Sequence, residues 1–223
     1  RIAGGGALLW GTGGAAVCTA PGQVFPPSVL ADGAGGAIFA WADNRQGPYS
    51  DIYAQRMNAN GAPVWETDGV ALCTANWQQY DTSIISDGAG GAIVAWHDAR
   101  TSHYDYYAQH VADLGVPLWA NDGVAICGGD GYVANFTMAS DGAGGAQCAW
   151  ADQRGEGQHI YGQRLAANGG RLWADGGLAF CLATGAQYSP RVVSGSGGWI
   201  LTTWGDNRND FNASDIYAQG IDS

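Results

Sequence analysis

Short runs of alternating apolar and polar residues, separated by glycine-rich turns, follow one another along the chain. Residues 28–31 and 37–43 form two such runs, and Asp32-Gly-Ala-Gly-Gly36 lies between them. Further runs follow at 51–57 and at 63–73, the last with a predicted β-bulge at 67–69. Alternation with regular turn signals predicts β-strands, and no helical periodicity competes with it. The pattern therefore predicts a unit of four antiparallel strands.

This unit occurs four times. The tryptophans that mark it are Trp41, Trp96, Trp150 and Trp204, and their spacings are 55, 54 and 54 residues. A fixed period of this length indicates an array of similar supersecondary units. We place the repeats at about residues 27–81, 82–135, 136–189 and 190–223, with residues 1–26 belonging to the last one.

The two ends of the chain match each other in the repeat. Residues 1–10 align with 164–173, so the chain begins near the end of one unit and stops at the corresponding place. Pairing the ends would close a ring of sheets and remove their exposed edges. We therefore predict one all-β domain over residues 1–223, a four-bladed β-propeller with four antiparallel strands per blade, in which the N-terminal segment completes the last blade. A β-sandwich is the alternative, but it leaves the matching ends unexplained.

The repeat resembles bacterial extracellular β-propeller repeats of the form DGxGGxxxxWxDxR, then DIYAQR, then GV and a cysteine. The second copy shows the pattern at residues 87–100 and 105–109. The resemblance covers nearly the whole chain, and it implies a secreted or surface-anchored protein, often with further domains. It brings no catalytic or binding residues. The fourth copy departs from the pattern in its first turn, and His159 replaces an aspartate in the third.

The amino-acid composition limits the classes of partner that the chain can bind. The formal charge is −11, and no lysine is present. This balance repels phosphate backbones and anionic lipids, so we expect neither nucleic-acid binding nor membrane insertion. The chain has 37 glycines, but it also has ten tryptophans and ten tyrosines, which is typical of a packed, turn-rich β protein. We expect a monomer.

Two sets of residues recur in every unit. Four cysteines (Cys18, Cys73, Cys127 and Cys181) lie one per repeat, and with Cys148 we expect them to be buried and unpaired. Each unit also carries an aspartate two residues before an arginine: Asp43 and Arg45, Asp98 and Arg100, Asp152 and Arg154, Asp206 and Arg208. These carboxylates, with Asp51, Asp105 and Asp215, are candidates for structural ion pairs, for a Ca²⁺ site or for acid–base chemistry. The structural role is favoured, and no cofactor is predicted.

Function is better sought where the copies differ. The loops between the second and third strands, and those between successive units, vary in length and should emerge on one face. Aromatic rings that stack on sugars or peptides, beside polar groups that fix orientation, suit recognition at such a face. The candidate ligand-binding residues there are Tyr49, Trp77, Tyr80, His103, Tyr104, Tyr132 and Tyr188, together with Arg191 on the inner strand of the last unit.

The sequence contains no linear motif of a known catalytic centre. We therefore predict a non-catalytic recognition module, extracellular or at a cell surface, that binds a glycan or another extracellular polymer. A structural or protein–protein interaction module is the alternative. A glycoside hydrolase-like enzyme is the third choice, because two carboxylates in a cleft need no linear motif.

Overall fold

The computed structural model describes residues 2–101, 103–128, 131–195 and 199–222. These residues form fifteen β-strands arranged in four antiparallel sheets. The first sheet contains β1 (Ser28–Ala31), β2 (Ala37–Asp43), β3 (Asp51–Met57) and β4 (Val70–Cys73). The second contains β5 (Gln79–Ser86), β6 (Ala92–Asp98), β7 (Asp105–Val111) and β8 (Val124–Ala125). The third contains β9 (Val133–Ser140), β10 (Ala146–Gly155), β11 (Gly157–Leu165) and β12 (Leu178–Cys181), and the fourth contains β13 (Gln187–Ser194), β14 (Ile200–Asp206) and β15 (Asp215–Ile221).

The first turn of each unit follows from its aspartate and glycines. In the second sheet, the Asp87 carboxylate accepts hydrogen bonds from the backbone N–H groups of Ala89 (2.7 Å) and Gly91 (3.0 Å). A Cβ atom at Gly91 would lie 2.2 Å from the Val111 carbonyl oxygen, so only glycine fits. Asp32 and Asp141 make the same turn in their sheets, and the two flanking strands are thereby held in register.

The sheets pack against one another in chain order. Three apolar clusters form the core, and they join the first sheet to the second, the second to the third and the third to the fourth. Trp41, Trp96 and Trp150 are the largest side chains in this core, each at most 2% exposed. Trp204, the fourth repeat tryptophan, is also buried, at 4% exposed.

The predicted closure of the four-bladed ring is not confirmed, and the predicted pairing of the N-terminal segment with the last sheet is wrong. Within the described residues the fourth sheet has three strands, and residues 2–26 do not pair with β15. The N-terminal segment instead lies against the first sheet: Val24 forms a bridge with Asp43, and the Trp10 indole donates to the Ala59 carbonyl (3.0 Å). The Val24 bridge corresponds to the pairing of Gln79 with Asp98 inside the second sheet, and the Trp10 contact corresponds to the one that the second sheet receives from Trp65 of the first. The segment is thus docked on the first sheet rather than added to the fourth.

None of the described residues belongs to a helix long and apolar enough to cross a membrane.

Candidate functional site

The four aspartate–arginine pairs hold the ends of the second strands. Asp98 is fully buried and accepts hydrogen bonds from the Trp96 indole (2.8 Å), from Arg100 Nε (2.9 Å) and from Arg100 Nη2 (2.6 Å). The guanidinium also lies 3.9 Å from the centre of the Tyr107 ring. Equivalent pairs and ring contacts occur in the other three sheets. These contacts support the structural role that the sequence analysis favoured for the pairs.

The charge of Asp206 is fixed by its partners. Burial by itself would raise the pKa of Asp206, but hydrogen bonds from Arg208 and Trp204 lower that pKa to about 2. An aspartate with so low a pKa is a poor proton donor. Among the described residues, no three or more histidine, cysteine or acidic side chains come together in a group that could hold a metal ion.

All five cysteines are free, as predicted. Cys73 lies 3.0 Å from Arg100 Nη2, so the repeated thiol contacts the arginine of the next sheet. Burial raises the pKa of Cys73 to about 12 and that of Cys127 also to about 12. These thiols are therefore protonated packing groups rather than nucleophiles.

Trp77 divides two depressions on the loop face, between the first and second sheets. It is 54% exposed, and its backbone φ of +73° is uncommon for a large side chain. One depression, of about 210 Å³, lies between Trp77 and the loop that carries Tyr49. The other, of about 390 Å³, lies between Trp77 and Tyr104. The rings of Tyr49 and Trp77 are 5.3 Å apart, so together they offer an exposed aromatic wall.

The smaller depression contains a carboxyl group suited to proton transfer. Asp51 lines it and is 7% exposed, and no hydrogen bond to its carboxyl group occurs among the described residues. Burial, with the neighbouring carboxylates of Asp43 and Asp122, raises the pKa of Asp51 to about 6. A carboxyl group that titrates near neutrality beside aromatic rings is the kind of group that general acid catalysis requires.

A second aromatic group lies next to the larger depression, which Tyr104 lines. The His97 ring stacks on Tyr106 (4.6 Å between centres), and Tyr106 in turn stacks on Phe136 (4.5 Å). Tyr80 packs edge-on against His97 (5.0 Å) and lies 6.2 Å from Tyr104. Burial lowers the pKa of His97, so its ring is neutral at physiological pH. These rings form the wall of the loop face on the second sheet.

The inner strands bulge where they reach this face. Asp81, Asn135 and Ser189 occupy equivalent positions in β5, β9 and β13, and their φ values are +56°, +55° and +52°. Asp81 and Asn135 line a depression of about 390 Å³ with Tyr106. Strained non-glycine residues that recur in this way are frequent at functional sites. Asp81 is exposed and makes no ion pair within the described part of the chain.

The structure brings together four of the predicted ligand-binding residues, namely Tyr49, Trp77, Tyr80 and Tyr104. His103 is partly exposed and close enough to Asp105 to influence its pKa. Tyr132 is 56% exposed, and the Tyr188 hydroxyl is bonded to Ser214 on the fourth sheet. Arg191 is exposed and donates to the Pro190 carbonyl (2.9 Å).

Three residues of this surface were not among the predicted binding residues: His97, Tyr106 and Asp81. A signal for them exists in the repeat. His97 stands where the other copies have Ala42, Ala151 and Gly205, and Tyr106 stands where they have isoleucine. The second unit thus departs from the repeat at the positions that build the aromatic group.

The sequence matches no family model, and no curated protein matches it. Solved structures do share the fold. The Penicillium chrysogenum alpha-L-arabinanase, determined with arabinobiose, matches with a TM-score of 0.62 and 14% identity over 93% of this chain and 66% of that one. An endo-arabinase from Bacteroides thetaiotaomicron matches with a TM-score of 0.48 and 14% identity, over 89% and 75% of the two chains. A thermostable family-43 glycoside hydrolase also has a TM-score of 0.48, at 9% identity, over 88% and 71%.

The arabinanase match supports the β-propeller fold, and this chain spans about two thirds of that enzyme. The comparison also corrects a prediction made from the sequence. A non-catalytic recognition module was expected, but a solved structure that shares the fold is an arabinanase, and this finding contradicts the expectation. The prediction relied on the lack of a continuous motif, but catalytic carboxylates can come from separate strands, so that lack does not argue against an enzyme.

Proposed function

We propose that the chain is a glycoside hydrolase-like enzyme that cleaves a neutral polysaccharide at its loop face. The observation that carries this proposal is Asp51, a nearly buried carboxyl group with a pKa of about 6 in a depression walled by Tyr49 and Trp77. The glycosidic oxygen must be protonated as its bond breaks, and a carboxylic acid with a raised pKa supplies that proton. The likeness of the fold to an arabinanase adds support.

The aromatic residues would hold the sugar chain. Trp77 and Tyr49 present tilted rings 5.3 Å apart, and Tyr104 faces the second depression beyond Trp77. Sugar rings carry apolar C–H faces that stack on aromatic rings, so a chain lying across Trp77 would place one unit in each depression. Asp51 then acts on the linkage nearest Tyr49.

Hydrolysis also needs a second carboxylate, which either activates water or stabilises the developing positive charge on the sugar. We assign this role to Asp81. It lies on the bulge of β5, is exposed, and lines the depression that also contains Tyr106. Two residues shortly before it contact the residue before Asp51: the Gln78 side chain donates to the Ser50 hydroxyl (3.0 Å), and the Gln79 backbone N–H donates to the Ser50 carbonyl (3.0 Å).

The charge of the chain selects the class of glycan. A net charge of −11 disfavours polymers rich in uronic acid or sulfate, because like charges repel at the surface. Neutral arabinan and xylan are therefore the first substrates to test. The extracellular or cell-surface location inferred from the repeat resemblance agrees with action on such polymers and stays part of the proposal.

The test measures the release of reducing sugar from neutral arabinan and xylan. Replacing Asp51 by asparagine should lower kcat at least about 100-fold, because the proton donor is lost. Wild-type activity should fall as the pH rises through about 6, since Asp51 must be protonated to act, and D51N should lack this limb of the profile. Asp81→Asn should also lower kcat.

The matched control is Asp215→Asn. Asp215 opens β15 at the position that corresponds to Asp51, but it is exposed on the fourth sheet, so its loss should leave kcat unchanged. Trp77→Ala should raise KM more than it lowers kcat. Failure of the wild-type chain to release sugar from any neutral glycan would overturn the proposal, as would a D51N variant with full activity.

A further inference from the structure

The second unit carries a tryptophan where every other unit carries a glycine. Trp77 is the fourth residue after the repeated cysteine, and the corresponding residues are Gly22, Gly131 and Gly185. Its φ of +73° is in the same left-handed region as those of Gly22 (+117°) and Gly185 (+85°). A positive φ brings the Cβ atom of any other residue close to the backbone, and it is rare for a large side chain. The tryptophan therefore keeps a backbone conformation that suits the glycines and strains Trp77 itself.

In the first and fourth units, an asparagine packs against this glycine. The residue between the repeated aspartate and arginine is Asn44 in the first unit and Asn207 in the fourth. The Asn44 side chain accepts a hydrogen bond from the Gln23 backbone N–H (2.7 Å), and Asn207 accepts one from the Ala186 N–H (2.6 Å). A Cβ atom on the glycine would lie 3.0 Å from Asn44 Oδ1 or 2.7 Å from Asn207 Oδ1, so the two positions share one small space. We call this arrangement the glycine–asparagine contact.

The second unit has replaced both residues of the glycine–asparagine contact. Ala99 stands at the asparagine position and Trp77 at the glycine position. Both residues line the depression of about 390 Å³ that lies between Trp77 and Tyr104. The third unit keeps its glycine and has Gln153 at the asparagine position, so both residues change together only in the second unit. Because an asparagine leaves too little room for a Cβ atom at the glycine position, Ala99 is what allows Trp77 to be there.

The double replacement leaves a backbone donor free beside the depression. Gln78 corresponds to Gln23 and Ala186, but no acceptor for its backbone N–H occurs in the part of the chain that the structure describes. Its carbonyl accepts from the Ala99 N–H (2.9 Å), as the carbonyls of Gln23 and Ala186 accept from the two asparagines (3.2 Å each). Its side chain donates to the Ser50 hydroxyl (3.0 Å). The Gln78 N–H is thus held toward the place that an asparagine oxygen takes in the other two units.

The depression favours an uncharged ligand. Arg100 is the charged residue among those that line it, and its guanidinium is bound to Asp98 through Nε (2.9 Å) and Nη2 (2.6 Å). The remaining lining groups are the aromatic rings of Trp77 and Tyr104, the Ala99 methyl group and Thr101. A ring with apolar C–H faces and hydroxyl groups matches stacking surfaces that lie beside a free N–H donor.

We propose that Trp77, Gln78 and Ala99 form a subsite for one neutral sugar unit of the glycan. The sugar stacks on the indole of Trp77, which is 54% exposed, and one of its hydroxyl oxygens accepts the hydrogen bond from the Gln78 N–H. Ala99 determines the specificity of the subsite, because a larger side chain there would fill the depression. The inference rests on the proposed function for the class of ligand, but binding at this subsite does not require hydrolysis.

The first test restores the glycine–asparagine contact and measures stability. Trp77→Gly combined with Ala99→Asn should raise the denaturant midpoint above that of the wild type, because strain is removed and the Gln78 N–H gains an acceptor. Ala99→Asn alone should lower the midpoint, because the new side chain meets Trp77. A double variant with a lower midpoint than the wild type would show that Trp77 serves packing, and it would overturn the proposal.

The second test measures binding without turnover. Calorimetry with neutral arabino- and xylo-oligosaccharides is performed on the D51N variant, and adding Ala99→Asn to it should weaken binding at least about tenfold. The matched control is Gln153→Asn in the same background. It places an asparagine at the same repeat position of the third unit, away from the depression, so its affinity should equal that of D51N alone.

Amide exchange measured by NMR reports on the hydrogen bond itself. Bound oligosaccharide should slow exchange of the Gln78 amide at least about tenfold, and an unchanged rate would overturn the assignment of this donor. Equal affinity with and without Ala99→Asn would overturn the subsite even in a chain that hydrolyses glycan. Binding that Ala99→Asn weakens, in a wild-type chain that releases no sugar, would support the subsite and overturn the proposed function. A chain that binds no neutral oligosaccharide would overturn both.

Discussion

Each of the four second strands ends in an arginine that lies between an aspartate and a tyrosine ring. In the second sheet, Arg100 contacts Asp98 through two nitrogens and lies over Tyr107. The Asp98 side chain has no exposed surface, so its charge is balanced by Arg100 and by the Trp96 indole rather than by water. A buried carboxylate of this kind depends on its partners much more than an exposed one does.

Replacing Arg100 by methionine should lower the free energy of unfolding by about 3 kcal/mol, because Asp98 is left buried and without its cation. Chemical denaturation at neutral pH measures this change. Arg171→Met is the control: Arg171 pairs with Asp175, which is 91% exposed, and its loss should cost less than about 0.5 kcal/mol. Equal losses in the two variants would show that the buried pair contributes little.

For individual residues, the sequence predicted well the roles that recur in all four units, and it predicted poorly a role that depends on the surroundings of one unit. The aspartate–arginine pairs and the unpaired cysteines could be identified because four copies show the same spacing. Asp51 was visible only as one of several aspartates that begin a third strand. Its raised pKa depends on burial and on Asp43 and Asp122, and Asp122 is 71 positions away along the chain. No local pattern reports such a neighbour.

At the scale of the strands, the segment that leads into the fourth strand of each of the first three sheets is held by a glycine that faces a buried tryptophan. Gly123 has a φ of +83°, and its empty Cβ position lies 2.6 Å from Trp96 Cη2 and 2.7 Å from the Ala108 carbonyl oxygen. The indole can reach full burial only because nothing projects from the backbone at that point. The turn of the outer segment and the packing of the core are thus set by one residue.

Gly123→Ala should therefore lower the free energy of unfolding by about 3 kcal/mol, of which about 1 kcal/mol is backbone strain and the rest is the steric conflict with Trp96. Thermal or chemical unfolding provides the measurement. Gly88→Ala is a matched control, since Gly88 has a φ of +81° but no atom within 4 Å of the place that a Cβ atom would occupy. A loss at Gly123 no larger than that at Gly88 would argue against the conflict.

The strands themselves were predictable, and their partners were only partly so. Most predicted strands agree with those observed, because alternation and glycine-rich turns are local properties of the sequence. The bulges of β5, β9 and β13 were not predicted, since Asp81, Asn135 and Ser189 resemble ordinary strand or loop residues. Their positive φ values arise where the inner strands meet the loop face.

For the molecule as a whole, the sheets form a series in which each contacts its neighbours. The energy of such an array is approximately a sum over units and joints, so a unit with an incomplete sheet is the least stable part. Within the described residues the fourth sheet has three strands, and most of β15 is exposed, whereas β7 in the second sheet is almost entirely buried.

Hydrogen exchange should reveal this gradient. The amides of β15 should exchange at least about tenfold faster than those of β7. Mass spectrometry of peptic fragments that contain residues 215–221 and 105–111 gives the comparison. Uniform protection of the two strands would contradict it and would indicate that another segment covers β15.

The matching ends of the sequence predicted that residues 1–26 have the character of an outer strand, and the structure agrees with that much. The sequence could not show where this strand would pair. Pairing depends on the angle between successive sheets, which is the sum of many side-chain volumes at the joints and has no signature at any single position.

The glycine that accommodates each tryptophan has a consequence for how such molecules can vary. Successive units meet through the same contacts: the outer tryptophan of one unit, Trp65 or Trp119, donates to a backbone carbonyl of the next unit and packs against a glycine there, so neither side depends on which unit supplies the other. Duplicating or deleting one whole unit would leave all remaining contacts intact. The number of units can then change in a single genetic event, while substitutions in the loops alter the chemistry of one unit at a time.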